Sequence, residues 1–284
     1  MSSGCPLSGL PARAVSGAAP EAPLRFSFLS LVTRPDQYAA MVSSFVTRGF
    51  TPDVAEFLYV DNRDGNQFDA YSGLNRLLQE ARGSYLICLH QDVLALQDDR
   101  HVLEARLAEL EAAAPRWAIA ANAGRRDGRY VIRISDRWRL NQARGPFPAE
   151  VDVVDENFIL LRRDRLVAPS CDLTGFHLYG LDLVQQAQAR GLTAHVIDFH
   201  VEHQGEAVVD QRYFDCLDDY EAKAARQMRT RKVPTLAEDV WLDGTRLRLS
   251  HHLLRLRRRI NYLRRQARYA RRPRANATLS AKES

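Results

Sequence analysis

From Leu24 onward the chain alternates short apolar runs with longer stretches in which apolar residues return every three or four positions. The run "LRFSFLSLV" predicts a strand, "RPDQYAAMVSSFVTRGF" a helix that stops at Gly49, and "VAEFLYVDN" a second strand. "FDAYSGLNRLLQEARG" then predicts a helix ended by Gly83, and "SYLICLHQD" a third strand. Strands and helices in alternation, joined by short links, make an α/β fold: a mostly parallel sheet with helices on both faces and right-handed crossovers.

The pattern continues with an amphipathic helix in "HVLEARLAELEAAAP" and a strand in "RWAIAANAG". After the turn at Asp127-Gly128, "RYVIRISDRW" predicts an edge or hairpin strand. "EVDVVDENFILLRRDRL" reads as one long strand, "YGLDLVQQAQARG" as a helix, and "TAHVIDFHVEHQG" as a strand leading into a polar loop. Gln211 to Lys232 predicts a long charged helix, and "HHLLRLRRRINYLRRQARYARRPR" sets Leu253, Leu256, Ile260 and Leu263 on one face among many arginines. Residues 1–23, rich in Ala, Pro, Ser and Gly without a period, read as a disordered tail. The expected organisation is that tail, one domain over 24–210, and a C-terminal helical extension over 211–284 carrying a basic amphipathic helix.

Composition narrows the class. A chain of 284 residues, 45% hydrophobic and 26% charged, lies in the ordinary globular range. It has no apolar run near the roughly 20 residues that cross a bilayer, and its N-terminus lacks the basic-then-apolar order of a secretory signal, so the expected location is cytoplasmic. Cys5, Cys88, Cys171 and Cys216 show no paired spacing for zinc or a redox dithiol; Cys88 and Cys171 read as core or site-wall residues. The net charge of +5 is carried almost wholly by arginine, since Lys223, Lys232 and Lys282 are the only lysines.

Two consecutive strands end in acid, Asp61 in "FLYVDN" and Asp92 in "ICLHQD". In open parallel sheets ligands bind beyond the carboxyl ends of the strands, where loops and helix N-termini converge. A carboxylate there can accept hydrogen bonds from a nucleobase or ribose, ligate a divalent cation that neutralises phosphate, or merely cap the next loop. Asp155 and Glu156 interrupt the apolar "VVDENFILL"; buried carboxylates need partners, so at least one should face the cleft or an arginine.

In order along residues 24–210, "FSFLSLVTR", "YVDNRD", "GLNRLLQEARGSYLICLHQDV", "DENFILLRRDRL", "GFHLYGLDLVQQAQARGLTAHVID" and "EHQG" resemble the nucleotide-sugar-dependent glycosyltransferases of the GT-A fold, in their family-two-like bacterial group. The resemblance implies a Rossmann-like GT-A sheet, a nucleotide-sugar donor with a UDP-sugar first, and Mn2+ or Mg2+ held at an Asp-x-Asp signature. Here that place is His90-Gln91-Asp92, so histidine stands for the first acid. By the match Asp92 binds the metal, while His90 meets the ribose or the metal, and imidazole suits Mn2+ better than Mg2+. Asp61 matches the acid that contacts base and ribose. Asn75, Thr33, Arg34 and Gln91 fall near the same nucleotide. His203, in "EHQG", matches a late histidine that completes the metal site or touches the diphosphate. Asp182 matches the catalytic base, with Asp155 next as base or acceptor contact and Glu156 left to structure. His177 lies in the loop before Asp182, His200 is a weaker candidate than His203, and His195 is taken as a core histidine.

The implied reaction is a single displacement, metal-assisted and inverting, that moves a sugar to a hydroxyl of a glycan or lipid-linked acceptor in bacterial surface polysaccharide or glycolipid synthesis. The basic C-terminal helix suits an anionic membrane surface at the inner face of the plasma membrane; no nucleic acid is expected, because the tail lacks a recognition motif. A catalytically inactive GT-A-like scaffold for envelope polysaccharide assembly is the main alternative, favoured by the lost first acid. A phosphoacceptor receiver domain also carries acids at strand ends, but this chain is too long for one and would leave "GFHLYGLD" and "EHQG" without a role.

Overall fold

A computed structural model of the protein describes residues 22–205, 211–228, 231–234 and 239–242, with single positions 256, 260 and 264. The chain divides into two compact units after Tyr220.

The predicted alternation is present in the first unit: β1 (Leu24–Val32), α1 (Pro35–Thr47), β2 (Ala55–Asp61), α2 (Ala70–Glu80) and β3 (Gly83–Leu89), then the short β4 (Val93–Leu94) and α3 (Arg100–Ala113). Local chemistry sets the helix starts. Pro35 opens α1, where its missing N–H has no helical partner to lose. Asp69 and Asp99 cap α2 and α3, accepting from the Ser72 N–H at 2.8 Å and the Val102 N–H at 3.0 Å.

Past α3 the apolar runs are cut more finely than their pattern suggests. "RWAIAANAG" forms β5 (Trp117–Ala121) and β6 (Ala123–Arg126), and β7 (Arg129–Asp136) is the expected hairpin strand, followed by β8 (Gln142–Arg144). The single strand expected around "EVDVVDENFILL" is instead β9 (Ala149–Glu150), β10 (Val153–Val154) and β11 (Phe158–Arg162). It breaks at Asp155 and Glu156, whose carboxylates do not fit a sheet buried on both faces. After α4 (Tyr179–Ala189), "TAHVIDFHVEHQG" likewise splits into β12 (Thr193–Val196) and β13 (Val201–His203).

One sheet has the order β2-β1-β3-β11-β5-β12-β9. Strands β2, β1, β3, β5 and β12 point the same way while β11 and β9 run against them, so the sheet is mostly parallel as expected. Side-chain alternation divides its core in two. Leu86 and Cys88 of β3 join α2 and α4 residues such as Leu74 and Leu183, while Ile87 and Leu89 join Met41 and Phe45 of α1 and Leu103 and Leu107 of α3. Each such fully buried side chain contributes roughly 1.5–3 kcal/mol. A second sheet, β10-β6-β7-β13-β4 with β8 beside β7, brings His203 opposite both Val93 and Asp136.

The helix α5 (Gln211–Gln227) stops before Lys232, which lies in β14 (Arg231–Pro234), paired antiparallel with β15 (Asp239–Leu242). Of the basic C-terminal helix, Leu256, Ile260 and Arg264 are described, as helical; the rest of it and the tail up to residue 21 lie outside the described residues. Among the described residues no helix is long and apolar enough to cross a membrane.

Candidate active site

A cleft of about 610 Å3 opens beyond the carboxyl ends of β1, β2 and β3, lined by Thr33, Asn62 and His90, which follow those strands. Asp155 and Glu156 line it after β10, as do residues 176–178 before α4, Tyr179 at its start and Tyr213 of α5. The segment 90–92 turns from β3 into β4, and its ends are held from two directions: the His90 N–H donates to Asn157 O at 3.1 Å, and the Gln204 N–H donates to Asp92 O at 3.1 Å.

His90, Asp92 and His203 gather their donor atoms within 4.8 Å of one another. His90 Nδ1 is 3.3 Å from His203 Nε2, which is 3.5 Å from Asp92 Oδ1. Burial would pull the His203 imidazole down, but the neighbouring Asp92 carboxylate, with Asp155 and Asp136 behind it, outweighs burial and raises it above the usual histidine value. Burial and the facing His203 hold His90 below that value. Burial lifts the Asp92 carboxyl, and His203 outweighs it, leaving Asp92 below the usual carboxylate range. Two imidazole nitrogens and one carboxylate oxygen form a donor set that suits a first-row transition-metal cation such as Mn2+ better than Mg2+. Gly205 closes the cradle. A Cβ there would stand 2.5 Å from Asp92 Oδ2 and 3.1 Å from His203 Nε2, in the space beside the ligating atoms.

Gln91 builds the edge of the cleft next to this cluster. Its Oε1 accepts from the N–H groups of Thr33 and Arg34 at 2.9 and 2.8 Å, and its Nε2 donates to Thr33 Oγ1 at 3.0 Å. One side chain thereby ties the exit of β1 to the loop after β3.

Glu156 lies in the wall, half-buried by exposed area yet closely surrounded by protein atoms, and accepts from the Gly180 N–H at 3.1 Å. Burial, helped by the charge of Asp155 and opposed by the amides at the start of α4, pushes its carboxyl up to about 8. Gly180 makes the approach possible, because a Cβ at that position would meet Val154 O at 2.5 Å and Glu156 Cγ at 3.2 Å. The next side chain, Tyr179, joins wall to cluster: its hydroxyl donates to Glu156 O at 3.0 Å and lies 3.1 Å from His90 Nε2.

No family model matches the chain. A protein of Fuscovulum blasticum described as "ATP synthase subunits region ORF 6" is 40% identical over 200 residues, which cover 68% of this chain and 80% of that one. The chain belongs to the ORF 6 family. That name states no activity. Among solved structures, the mannosyltransferase PcManGT from Pyrobaculum calidifontis, in complex with GDP-Man and Mn2+, superposes with a TM-score of 0.47 at 15% identity over 76% of this chain and 69% of its own. GalNAc-T7 with UDP, GalNAc and Mn2+ gives 0.44 at 11% identity, over 73% of this chain and 48% of its own.

In this member of the ORF 6 family the residues singled out by sequence separate into two groups. Thr33, His90, Gln91, Asp92, Asp155 and His203 all line the cleft. Asp61, Arg34, Asn75 and Asp182 are not among its lining residues. Asp61 ends β2 as expected, but its carboxylate is taken up by Arg63, at 2.8 and 2.6 Å from Nε and a terminal nitrogen, and that partner holds it down at about 2. The neighbouring Asn62 faces the cleft instead and clamps the next loop through Phe68. Arg34 is exposed at the start of α1. Asn75 donates to the carbonyls of Tyr71 and Pro169, a helix-to-loop brace.

Asp182, matched by sequence to the catalytic base, is buried beside the cleft and is not among its lining residues. Its side chain is 1% exposed, and its oxygens accept from the Ser170 N–H at 2.8 Å, Ser170 Oγ at 2.7 Å and Gln186 Nε2 at 2.8 Å. It anchors the loop before α4 and turns away from the cleft wall that Leu181 lines. His195 is the core histidine expected, and His200 is buried against Ser135 Oγ at 2.8 Å. Cys88 is in the core and the cleft wall, whereas Cys171 is exposed.

Proposed function

We propose that the chain is a nucleotide-sugar-dependent glycosyltransferase of the GT-A type, acting on a hydroxyl acceptor with inversion and with a divalent cation at His90, Asp92 and His203. The observation that carries this reading is the His-Asp-His donor set beside Gly205, in a cleft of a size usual for a small-molecule site, with a carboxyl poised near neutrality in the same wall. The order of sequence motifs supports it independently. The replacement of the first signature acid by His90 favoured an inactive scaffold, but His90 keeps a donor atom directed at the cluster, which supports a working site.

The base shifts from Asp182 to Glu156, which lines the cleft and whose raised carboxyl, once ionised, is a stronger proton acceptor than an ordinary carboxylate. Glu156 takes the proton of the acceptor hydroxyl. That oxygen attacks the anomeric carbon from the face opposite the donor phosphates, the carbon–oxygen bond to the diphosphate breaks, and the electron pair leaves with the nucleoside diphosphate. When bound, the cation supplies charge neutralisation on the departing phosphates. Asp155 keeps Glu156 basic through its charge, Asn62 and Thr33 meet the nucleoside, and Gln91 fixes the edge they stand on. A UDP-sugar is the first donor to test, and a glycan or lipid-linked acceptor of surface polysaccharide synthesis, at the cytoplasmic face of the membrane, is the setting the reading favours.

Calorimetry with a panel of nucleotide sugars, with and without Mn2+, on wild type and Asp92→Ala tests it. Metal-linked binding that is lost in the variant, together with slow hydrolysis of the bound sugar, is the expected result. Binding of no nucleotide sugar by the wild type overturns the reading, and binding without any turnover restores the scaffold.

A further inference from the structure

Nothing in the proposed reaction uses the loop between β7 and β8, and its exposed residues are unusual. Trp138 is 76% exposed and Leu140 is 80% exposed, two positions apart in this loop. Large apolar groups in water are common singly, but an indole and an isobutyl group held outward together mark a surface that something else covers.

Their exposure is built rather than incidental. Asp136 Oδ1 accepts from the N–H groups of Trp138 and Arg139 at 2.8 and 2.7 Å, and the Asp136 N–H donates to Arg139 O at 3.0 Å. Gln142 Nε2 donates to Asp136 Oδ2 at 2.8 Å, and the Asn141 N–H donates to the buried Ser135 Oγ at 2.8 Å. Asn141 adopts φ +50°, a left-handed turn that asparagine tolerates. Both ends of the loop are therefore fastened to the sheet, and Trp138 and Leu140 cannot fold back without breaking these bonds.

The surroundings are cationic. The Arg137 guanidinium carbon lies 5.4 Å from the centre of the Trp138 ring, Arg139 sits between Trp138 and Leu140, and Arg144 is exposed on β8. Over residues 136–149 these three arginines face a single acid, Asp136, which is occupied inside the loop. The loop also springs from the strand end that builds the cleft, since Asp136 pairs with His203 in register.

We propose that the tip formed by Arg137, Trp138, Arg139 and Leu140 docks into the headgroup layer of an anionic membrane. Indole settles at the level of the headgroups, a leucine beside it reaches the acyl boundary, and guanidinium groups meet lipid phosphate, so charge and shape match one partner. Docking needs neither donor nor cation. Its use, delivery of a lipid-linked acceptor to the mouth of the cleft, is the one part that rests on the glycosyltransferase reading.

The test is co-sedimentation of the full chain with vesicles of phosphatidylglycerol and phosphatidylcholine in equal parts, against vesicles of phosphatidylcholine alone. The expected result is binding to the anionic vesicles that falls about tenfold in Trp138→Ser/Leu140→Ser and in Arg137→Gln/Arg139→Gln. In a Trp241→Phe background, a blue shift of tryptophan emission on binding should vanish when Trp138→Ser is added, because the remaining Trp117 is already buried. Unchanged thermal melting and nucleotide binding in the variants would show that the site and fold are intact. Absence of vesicle binding by wild type, or variants that bind as tightly as wild type through other arginines, overturns the proposal. So does a loss confined to binding of a soluble glycan. Failure of nucleotide binding in every protein alike strikes the catalytic reading and leaves the membrane result standing.

Discussion

His90 and His203, 113 residues apart in the chain, face each other with Nδ1 and Nε2 separated by 3.3 Å. Two imidazoles so close cannot both carry a proton comfortably, and a cation between them and Asp92 removes the conflict while using all three donors. Mn2+ should therefore raise the melting temperature of the wild type. At a free concentration near 100 times the dissociation constant the gain is about 2.7 kcal/mol, or roughly 5–10 °C for a chain of this size. Differential scanning calorimetry should show the shift in wild type and none in Asp92→Ala or His203→Ala. An equal shift in all three proteins would mean that Mn2+ binds elsewhere.

Gly205 offers a second probe of the same space. In Gly205→Ala the new methyl carbon stands 2.5 Å from the present position of Asp92 Oδ2, so the carboxylate must shift from its place beside the other donors. The backbone can remain as it is, so the prediction is a folded protein whose Mn2+ affinity drops about tenfold or more. Manganese titration followed by electron paramagnetic resonance checks this. Retained affinity would mean that Asp92 does not need its present orientation.

Asp182 tests the reassignment of the base. In Asp182→Asn one of the two accepting oxygens becomes a donor facing the Ser170 N–H or hydroxyl, inside a site that is 1% exposed. Loss of such charged, buried hydrogen bonds costs about 1.5–3 kcal/mol, which lowers the melting temperature by roughly 3–12 °C. Turnover per folded molecule should stay within about threefold of wild type, whereas removal of a true base costs on the order of 100-fold or more. A stable variant with abolished turnover would return Asp182 to the reacting centre.

These placements show where the sequence was transparent and where it was not. Periodicity located β1, α1, β2, α2 and β3, because each carries its apolar residues at one clear spacing and ends in a capping residue or glycine. Once β3 was in place its exit had to bear His90 and Asp92, so the pattern located two of the three cluster residues at a strand end. The period of two at the end of β2 held a further message: Asp61 and Asn62 must point opposite ways, and the apolar Val60 marks the inward side that Asn62 shares. For Glu156 the only signal was an acid inside an apolar run. Its elevated carboxyl depends on Gly180 and Asp155, a meeting of loop and helix that no local pattern encodes. The orientation of Asp182 was hidden for a related reason: a helix N-terminus explains why an acid stands there, but not whether it faces the cleft or Ser170.

Glu156 supplies the last prediction, and its two readouts separate chemistry from structure. Its folded value of about 8 lies above the ordinary 4.5, so the folded protein holds this proton more tightly than the unfolded chain does. Stability from this group is complete below pH 4.5, declines as pH rises through the interval to 8, and is gone above it. Glu156→Gln keeps an acceptor for the Gly180 N–H and removes the ionisation, so it should be more stable than wild type at pH 9, by on the order of 3 kcal/mol, and no more stable at pH 4. Denaturant melts at the two pH values measure that difference. If Glu156 is also the base, kcat/KM of the wild type rises with pH through about 8, and the variant loses both that limb and roughly 100-fold or more of its rate. A variant that gains stability at high pH yet keeps the rising limb would confine Glu156 to the fold.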